Sequence, residues 1–121
     1  MFSGFAEMLR YVIRLAISTV HPDKVDLLMA WLAELQLRAD EVRETFRQGG
    51  VTHEQAYLLR ATGEPTLVYA TEAKNHHRAR EALRSSRLPI DLEHNAVLGY
   101  TLAGPGRAEL LYDVRAPDSA A

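Results

Sequence analysis

The sequence predicts an α+β fold in which strands and helices follow in the order β-α-β-β-α-β, with one extra short helix before the last strand. Three observations predict this order. Apolar and polar residues alternate over residues 9–18, apolar residues recur at helical spacing over residues 23–47, and two strand-like stretches flank the turn at residues 62–65. The length of 121 residues predicts a single domain, residues 1–121, with its core at about 9–116.

The first strand and the first helix have the clearest patterns. The strand has one thoroughly apolar side, formed by Tyr11, Ile13, Leu15 and Ile17. Pro22 suits the first turn of the helix that follows, and the glycines at 49–50 suit its left-handed end. Trp31 widens the apolar stripe of this helix, which predicts either a second neighbour, such as another subunit, or a peripheral core position.

Residues 51–61 and 66–73 are the predicted second and third strands and form a hairpin. Residues 74–86 are predicted to form a short helix. The extra helix follows Pro89 and has an apolar side made of Leu92, Val97 and Leu98. The "GPG" sequence at 104–106 ends this helix, and residues 108–116, "AELLYDVRA", are the predicted last strand.

This order is the split β-α-β pattern, also called ferredoxin-like. Two helices cover only one face of a four-stranded antiparallel sheet, so the other face meets solvent or a partner. An apolar open face indicates an interface or a ligand site. The residues predicted for this open face are Val12, Ala16, Ala56, Leu58, Val68 and Ala70.

Composition excludes several classes of function. The chain has no cysteine, which excludes disulfides and thiolate chemistry. Its formal net charge is −2, from 14 basic and 16 acidic residues, which does not fit a nucleic-acid-binding protein. Glu7, Arg10 and Arg14 interrupt the apolar start, which argues against a signal peptide or a membrane span. We therefore expect a cytoplasmic protein with no nucleic-acid or membrane partner.

Asp91 and His94 lie three residues apart at the start of the extra helix, and two interpretations are open for this pair. Asp91 suits the N-cap, because its carboxylate can accept the backbone N–H groups of the first turn. Alternatively, Asp91 orients the imidazole of His94, which then acts as an acid or a base. The two interpretations are compatible, and the alternative for His94 itself is a solvated residue of the first helical turn.

Three further residues complete the predicted catalytic set. Glu54 lies mid-strand, where glutamate is disfavoured, and Arg14 on the first strand is its predicted partner. Tyr69 is predicted either to offer its hydroxyl to the same cavity or to pack in the core. The alternative for Glu54 and Arg14 is an exposed ion pair of little energetic consequence.

The sequence gives no sign of a metal or cofactor site. The adjacent histidines at 76–77 diverge by about 100° on a helix, so they do not share a face as metal ligands do. The glycine pairs at 49–50 and 104–106 lack the residues of a phosphate-binding loop. We therefore predict no metal and no cofactor.

Four stretches resemble a family of small bacterial proteins of unknown function: "HPDKVDLLMAWLAEL", "GGVTHEQAYLL", "LVYATEA" and "SSRLPIDLEH". The resemblance covers roughly residues 10–101 and is sharpest at "GVTHE" (50–54) and "PIDLEH" (89–94). It departs at "ATGEPT" and in the final strand. The family looks like a member of the dimeric α+β barrel superfamily. This implies a homodimer of ferredoxin-like subunits that pair sheet to sheet, with a cavity between each sheet and its helices or loops.

Two classes of function follow. The first is a cofactor-independent enzyme that performs acid–base chemistry on a mostly apolar small molecule, as a cyclase, an isomerase or an aldol-type catalyst. A cofactor-free monooxygenase would use the same pocket. The second is a module that binds a small ligand, or a structural dimer, without catalysis. The distinguishing observation is whether Arg14, Glu54, Tyr69 and His94 surround one cavity.

Overall fold

A computed structural model of the protein describes residues 11–61 and 63–117. It contains four strands, which are β1 (Val12–Val20), β2 (Val51–Leu59), β3 (Thr66–Ala73) and β4 (Leu102–Pro105). They form one antiparallel sheet in the order β2-β3-β1-β4. The fold is therefore ferredoxin-like, and the predicted fold class is confirmed.

A single turn of 3₁₀ helix, Pro22–Lys24, leads into the first of the four α-helices that the described residues form. They are α1 (Val25–Leu37), α2 (Ala39–Gly49), α3 (His76–Ser85) and α4 (Pro89–Thr101). The single helix predicted over 23–47 is broken in two at Arg38, whose backbone angles, φ −101° and ψ 34°, are not helical. Gly50 ends α2 at a φ of 73°, which confirms the predicted glycine cap.

The strand register decides which side chains face the helices. Tyr69 on β3 is paired with Ala16 on β1 and with Ala56 on β2, so all three point to the helix side. The predicted open face is thus correct for Val68 and Ala70 only. It is wrong for Val12, Ala16, Ala56 and Leu58, which share the side of Tyr69. The error follows from a shift of one residue in the assumed pleat, which exchanges the two faces of a strand.

The hydrophobic core lies between the sheet and the first and last helices. Val20, Val25, Leu28 and Leu67 are buried at its centre. Helix and strand residues pack around them, namely Leu32, Leu58, Tyr69, Leu98 and Leu102. Among the described residues, no helix has the length and apolar character needed to cross a membrane.

The last strand differs from its prediction. β4 is Leu102–Pro105 and follows α4 directly, and residues 106–117 have no regular secondary structure. Pairing of β4 with β1 shifts register between Thr19 and Val20, and β4 reaches only the end of that strand. The predicted strand 108–116 is therefore wrong for the isolated chain. Its apolar side chains stay exposed within one chain, so period-two alternation alone does not produce a strand there.

Candidate active site

A cavity of about 400 Å³ lies between the sheet and the helices. All five residues of the predicted catalytic set line this cavity: Arg14, Glu54, Tyr69, Asp91 and His94. Most of the remaining lining is apolar and includes Phe46, Leu67 and Leu98. A few polar groups that converge in an apolar pocket are typical of a small-molecule site.

His94 on α4 is held by an aromatic side chain on each of two other elements. The indole Nε1 of Trp31 on α1 lies 2.9 Å from His94 Nδ1, and the planes of the two rings differ by 27°. The hydroxyl of Tyr69 lies 3.4 Å from His94 Nε2, and its ring meets the imidazole edge-on. Three separate elements therefore fix the position of one imidazole.

The contact with Trp31 determines the tautomer of His94. An indole N–H only donates, so Nδ1 accepts and carries no proton. The proton of the neutral ring is then on Nε2, the nitrogen that faces Tyr69. Burial lowers the pKa of His94, and the charge of Asp91 opposes this effect only partly. Neutral His94 thus presents a hydrogen-bond donor on its Tyr69 side.

Glu54 on β2 points to the same cavity from the sheet. Thr71 Oγ1 donates to its Oε2 at 2.8 Å. Burial raises the pKa of the Glu54 carboxyl more than this hydrogen bond lowers it. Burial, followed by the nearby Glu54 charge, also raises the pKa of Tyr69. The site thus holds a neutral phenol and a carboxyl group that ionises at a higher pH than usual.

The predicted pairing of Glu54 with Arg14 is wrong, because the carboxyl is bound by Thr71. Arg14 on β1 and Glu54 on β2 are both opposite Thr71, so a whole strand separates them. Arg14 is instead exposed where it lines the cavity, and Arg80 on α3 is a second exposed arginine of the lining. The rim of this mostly apolar cavity therefore carries two positive charges.

Asp91 has a different role from either of its two interpretations. The N-cap of α4 is Leu88, and Asp91 lies in the first turn with only 3% of its surface exposed. Its carboxylate accepts the hydroxyl of Thr45 at 2.6 Å and the hydroxyl of Ser86 at 2.5 Å. The hydrogen bond that would orient His94 comes from Trp31 instead. Both predictions for Asp91, as a cap and as the orienting group, are therefore wrong.

Trp31 is the contact of His94 that the sequence-based prediction of the site missed. It lies on the helix whose apolar stripe was too wide for one face, and this width was the available signal. Arg38 lies 5.9 Å above its ring and binds Glu93 of α4 at 2.9 Å. The break between α1 and α2 thus supplies a contact that holds Trp31 against the helix of His94.

A second, more open cavity of about 930 Å³ adjoins the first on the side of β2 and α2. The linings of the two cavities have six residues in common: Leu35, Val42, Phe46, Val51, Glu54 and Tyr69. Glu54 and Tyr69 therefore lie where the inner cavity meets a wider approach. This arrangement gives a ligand a route along α2 to the polar groups.

The adjacent histidines lie in the first turn of α3. His76 Nε2 contacts Val12 O at 2.6 Å, so one of the two is used in holding α3 to β1. Within residues 11–61 and 63–117, no three His, Asp or Glu side chains come together as a metal site would require.

A family model matches residues 12–118, and its description is "Family of unknown function (DUF6176)". The chain belongs to this family. Among solved structures, a conserved protein from Methanosarcina mazei Go1 is 18% identical and superposes with a TM-score of 0.53, over 81% of this chain and 87% of that one. This likeness shows the fold alone.

A second solved structure is SnoaB, a cofactor-independent oxygenase from Streptomyces nogalater. It is 22% identical, with a TM-score of 0.46, over 84% of this chain and 96% of that one. No curated protein matches the chain.

Proposed function

We propose that this protein is a cofactor-independent enzyme that transfers protons on a mostly apolar organic molecule, as a cyclase, an isomerase or an aldol-type catalyst. The observation that carries the proposal is the convergence of Glu54, Tyr69 and His94 in one apolar cavity. A buried carboxyl next to two neutral donors is suited to removing a proton from a carbon beside a carbonyl group.

The roles follow from the protonation states. Glu54, in its ionised form, takes the proton from the substrate carbon. The Tyr69 hydroxyl and the Nε2–H of His94 donate hydrogen bonds to the carbonyl oxygen as negative charge develops there. A neutral imidazole serves as such a donor without a change in its own protonation. The proton on Glu54 then returns to another position of the enolate. In the aldol-type reaction, the enolate carbon instead attacks a second carbonyl, whose π bond opens, and the resulting alkoxide takes the proton from Glu54.

The rim of the cavity restricts the substrate further. Arg14 and Arg80 lie on two different elements that meet at the cavity, and both are exposed. Guanidinium groups bind carboxylates and phosphates well. A ligand with an apolar keto body and an anionic end would therefore place its carbonyl near Glu54 and its charge near the arginines.

Proton exchange into solvent tests the catalytic proposal without knowledge of the natural substrate. A medium-chain keto acid is incubated in D₂O, and NMR follows the loss of the C–H signals beside the ketone. We expect the protein to accelerate this exchange. Glu54→Gln should abolish the acceleration, whereas Glu64→Gln, a matched change in the exposed turn between β2 and β3, should retain it.

Binding measurements separate the two classes of function. If calorimetry shows that the keto acid binds and yet no proton is exchanged, the protein is a ligand carrier, which is the second candidate function. If the keto acid binds and its uncharged methyl ester binds equally well, the cavity is retained and the role of the arginines is refuted. If neither molecule binds, the small-molecule site itself is refuted.

We further propose a homodimer formed through the open face of the sheet. Large apolar side chains stay exposed there, with Ile13 at 60%, Leu15 at 51% and Leu59 at 52%. Exposed apolar patches of this kind mark interaction sites. Light scattering at micromolar concentration should report about twice the chain mass of 13.6 kDa. A monodisperse monomer would refute the dimer.

A further inference from the structure

The segment after β4 exposes more apolar surface than a free chain end normally does. Leu110, Leu111, Tyr112 and Val114 are 77%, 86%, 80% and 72% exposed. Leu110, Tyr112 and Val114 alternate with Glu109, Asp113 and Arg115, apart from Leu111. Period-two alternation of this kind is typical of a strand with one buried side. The segment therefore has the pattern of a strand, but its apolar side is not covered within one copy.

The segment lies near β1 but does not pair with it in register. Gly106 N donates to Ile17 O at 2.8 Å, and Arg115 Nη2 donates to Tyr11 O at 3.2 Å. The contact of Arg115 is made by its side chain, and no backbone ladder joins residues 107–117 to β1. β4 itself pairs with β1 only at Ser18, Thr19 and Val20. Along the described part of β1, the outer edge before Ile17 is thus without a ladder.

The open face beside this edge has the complementary chemistry. Ile13 and Leu15 of β1 project from it, and Tyr57 and Leu59 of β2 project from it at 50% and 52% exposure. An unpaired edge next to an apolar face is a template for a strand from another chain. Within one copy, the apolar side chains of the segment at Leu110, Leu111, Tyr112 and Val114 stay exposed. The apolar surface that covers them therefore has to come from another chain.

We propose that residues 107–115 of each copy pack as a strand on the open sheet face of a second copy. A two-fold arrangement makes this exchange reciprocal, because each copy donates the same segment and presents the same face. The exchange buries the apolar side of the segment and the apolar side chains of the face in one step. The inference rests on the proposed homodimer and adds the element that forms its interface.

A pair of substitutions in the full chain tests the role of the segment. Leu110→Ser combined with Tyr112→Ser removes two apolar side chains of the segment, and both are exposed within one copy, so each copy should still fold. Analytical ultracentrifugation measures the dissociation constant of the dimer, and we expect this constant to be at least about tenfold higher for the variant than for the unchanged protein. Leu37→Ser is the matched control, because Leu37 is 83% exposed on α1, and it should leave the dimer intact.

Disulfide trapping tests which copy receives the segment. The natural sequence has no cysteine, so only the introduced thiols can form a disulfide. Leu15→Cys and Tyr112→Cys are prepared separately, one with a removable tag, then mixed and oxidised. We expect a mixed, disulfide-linked dimer. If the double variant, with both cysteines in one chain, forms only an internal disulfide, the segment packs on its own face and the exchange is refuted.

The possible outcomes distinguish the two proposals. A dimer that persists in the Leu110→Ser, Tyr112→Ser variant and gives no mixed disulfide refutes the exchange but leaves the homodimer in place. A monomeric unchanged protein refutes both. Dissociation of the segment variant together with a mixed disulfide supports both.

Discussion

His94 is fixed by contacts that the sequence does not reveal. Its chemistry depends on Trp31, 63 residues earlier in the chain, which takes the Nδ1 position that Asp91 was expected to control. Local spacing placed Asp91 and His94 on nearby positions of one helix, but burial and the approach of α1 decided which hydrogen bond forms. Residues on different elements meet only through tertiary packing, and a single sequence does not encode that packing locally.

Loss of the indole donor should change the acidity of His94. Trp31→Phe keeps an aromatic ring but leaves Nδ1 free to take a proton, so the pKa of His94 should rise, by up to about one unit for the loss of one hydrogen bond. NMR titration of the ring signals measures this change. Tyr100→Phe, on the exposed side of α4, is the control and should leave the pKa of His94 unchanged. An unchanged His94 titration in Trp31→Phe would contradict the assigned tautomer.

Glu54 should reduce stability at neutral and higher pH. Its folded-state pKa is raised, so the folded protein binds more protons than the unfolded chain from about pH 4.5 upward, and stability falls as the pH rises through that window. Glu54→Gln removes this penalty, which amounts to about 1.4 kcal/mol for every tenfold difference in acidity between the folded and unfolded states. Denaturant unfolding should show Glu54→Gln to be more stable than the unchanged protein at pH 8 and equal to it at pH 4. A variant that is less stable at both values would contradict the assignment.

At the scale of the elements, Asp91 joins α4 to α2. Thr45 belongs to α2 and Ser86 to the connection before α4, and both hydroxyls bind one buried carboxylate. Ser86 also accepts the backbone N–H of Leu88, the N-cap residue of α4. The carboxylate therefore fixes where α4 begins, and through it the position at which His94 enters the cavity.

Removal of one hydroxyl from this cluster should destabilise the fold. Thr45→Val keeps the shape of the side chain but leaves a buried charged acceptor short of a donor, at a cost of roughly 2 kcal/mol. Thermal unfolding measures the loss. Thr45→Ser retains the hydroxyl, so its loss of stability should be much smaller. Equal losses for Val and Ser would show that packing, and not the hydrogen bond, accounts for the effect.

The elements themselves were predictable where their patterns were local. β3 has the predicted bounds, and α3 and α4 lie where their apolar sides indicated. The break at Arg38 was not visible, because helical spacing continues through it and the break is held by ion pairs to Glu41 and Glu93. The prediction of the last strand failed for the opposite reason, because residues 108–116 have the pattern of a strand but form no ladder with β1 within one chain.

At the scale of the whole molecule, the sequence predicted the ferredoxin-like order and five of the residues that line the cavity. It did not predict the faces of the sheet, because the strand pleat allows either assignment until a register is known. It also did not predict the pairings inside the cavity. Thr71, rather than Arg14, binds Glu54, since Arg14 lies a whole strand away.

Trp31 is the only tryptophan in the chain, and its indole is bonded to His94. The protein therefore contains a built-in optical reporter for its own cavity. Protonation of a neighbouring imidazole quenches indole emission, so the intrinsic fluorescence should fall as the pH drops through the lowered pKa of His94, below 6.5. A ligand that enters the cavity should shift the same emission, which makes a library of candidate molecules searchable without any assay of turnover.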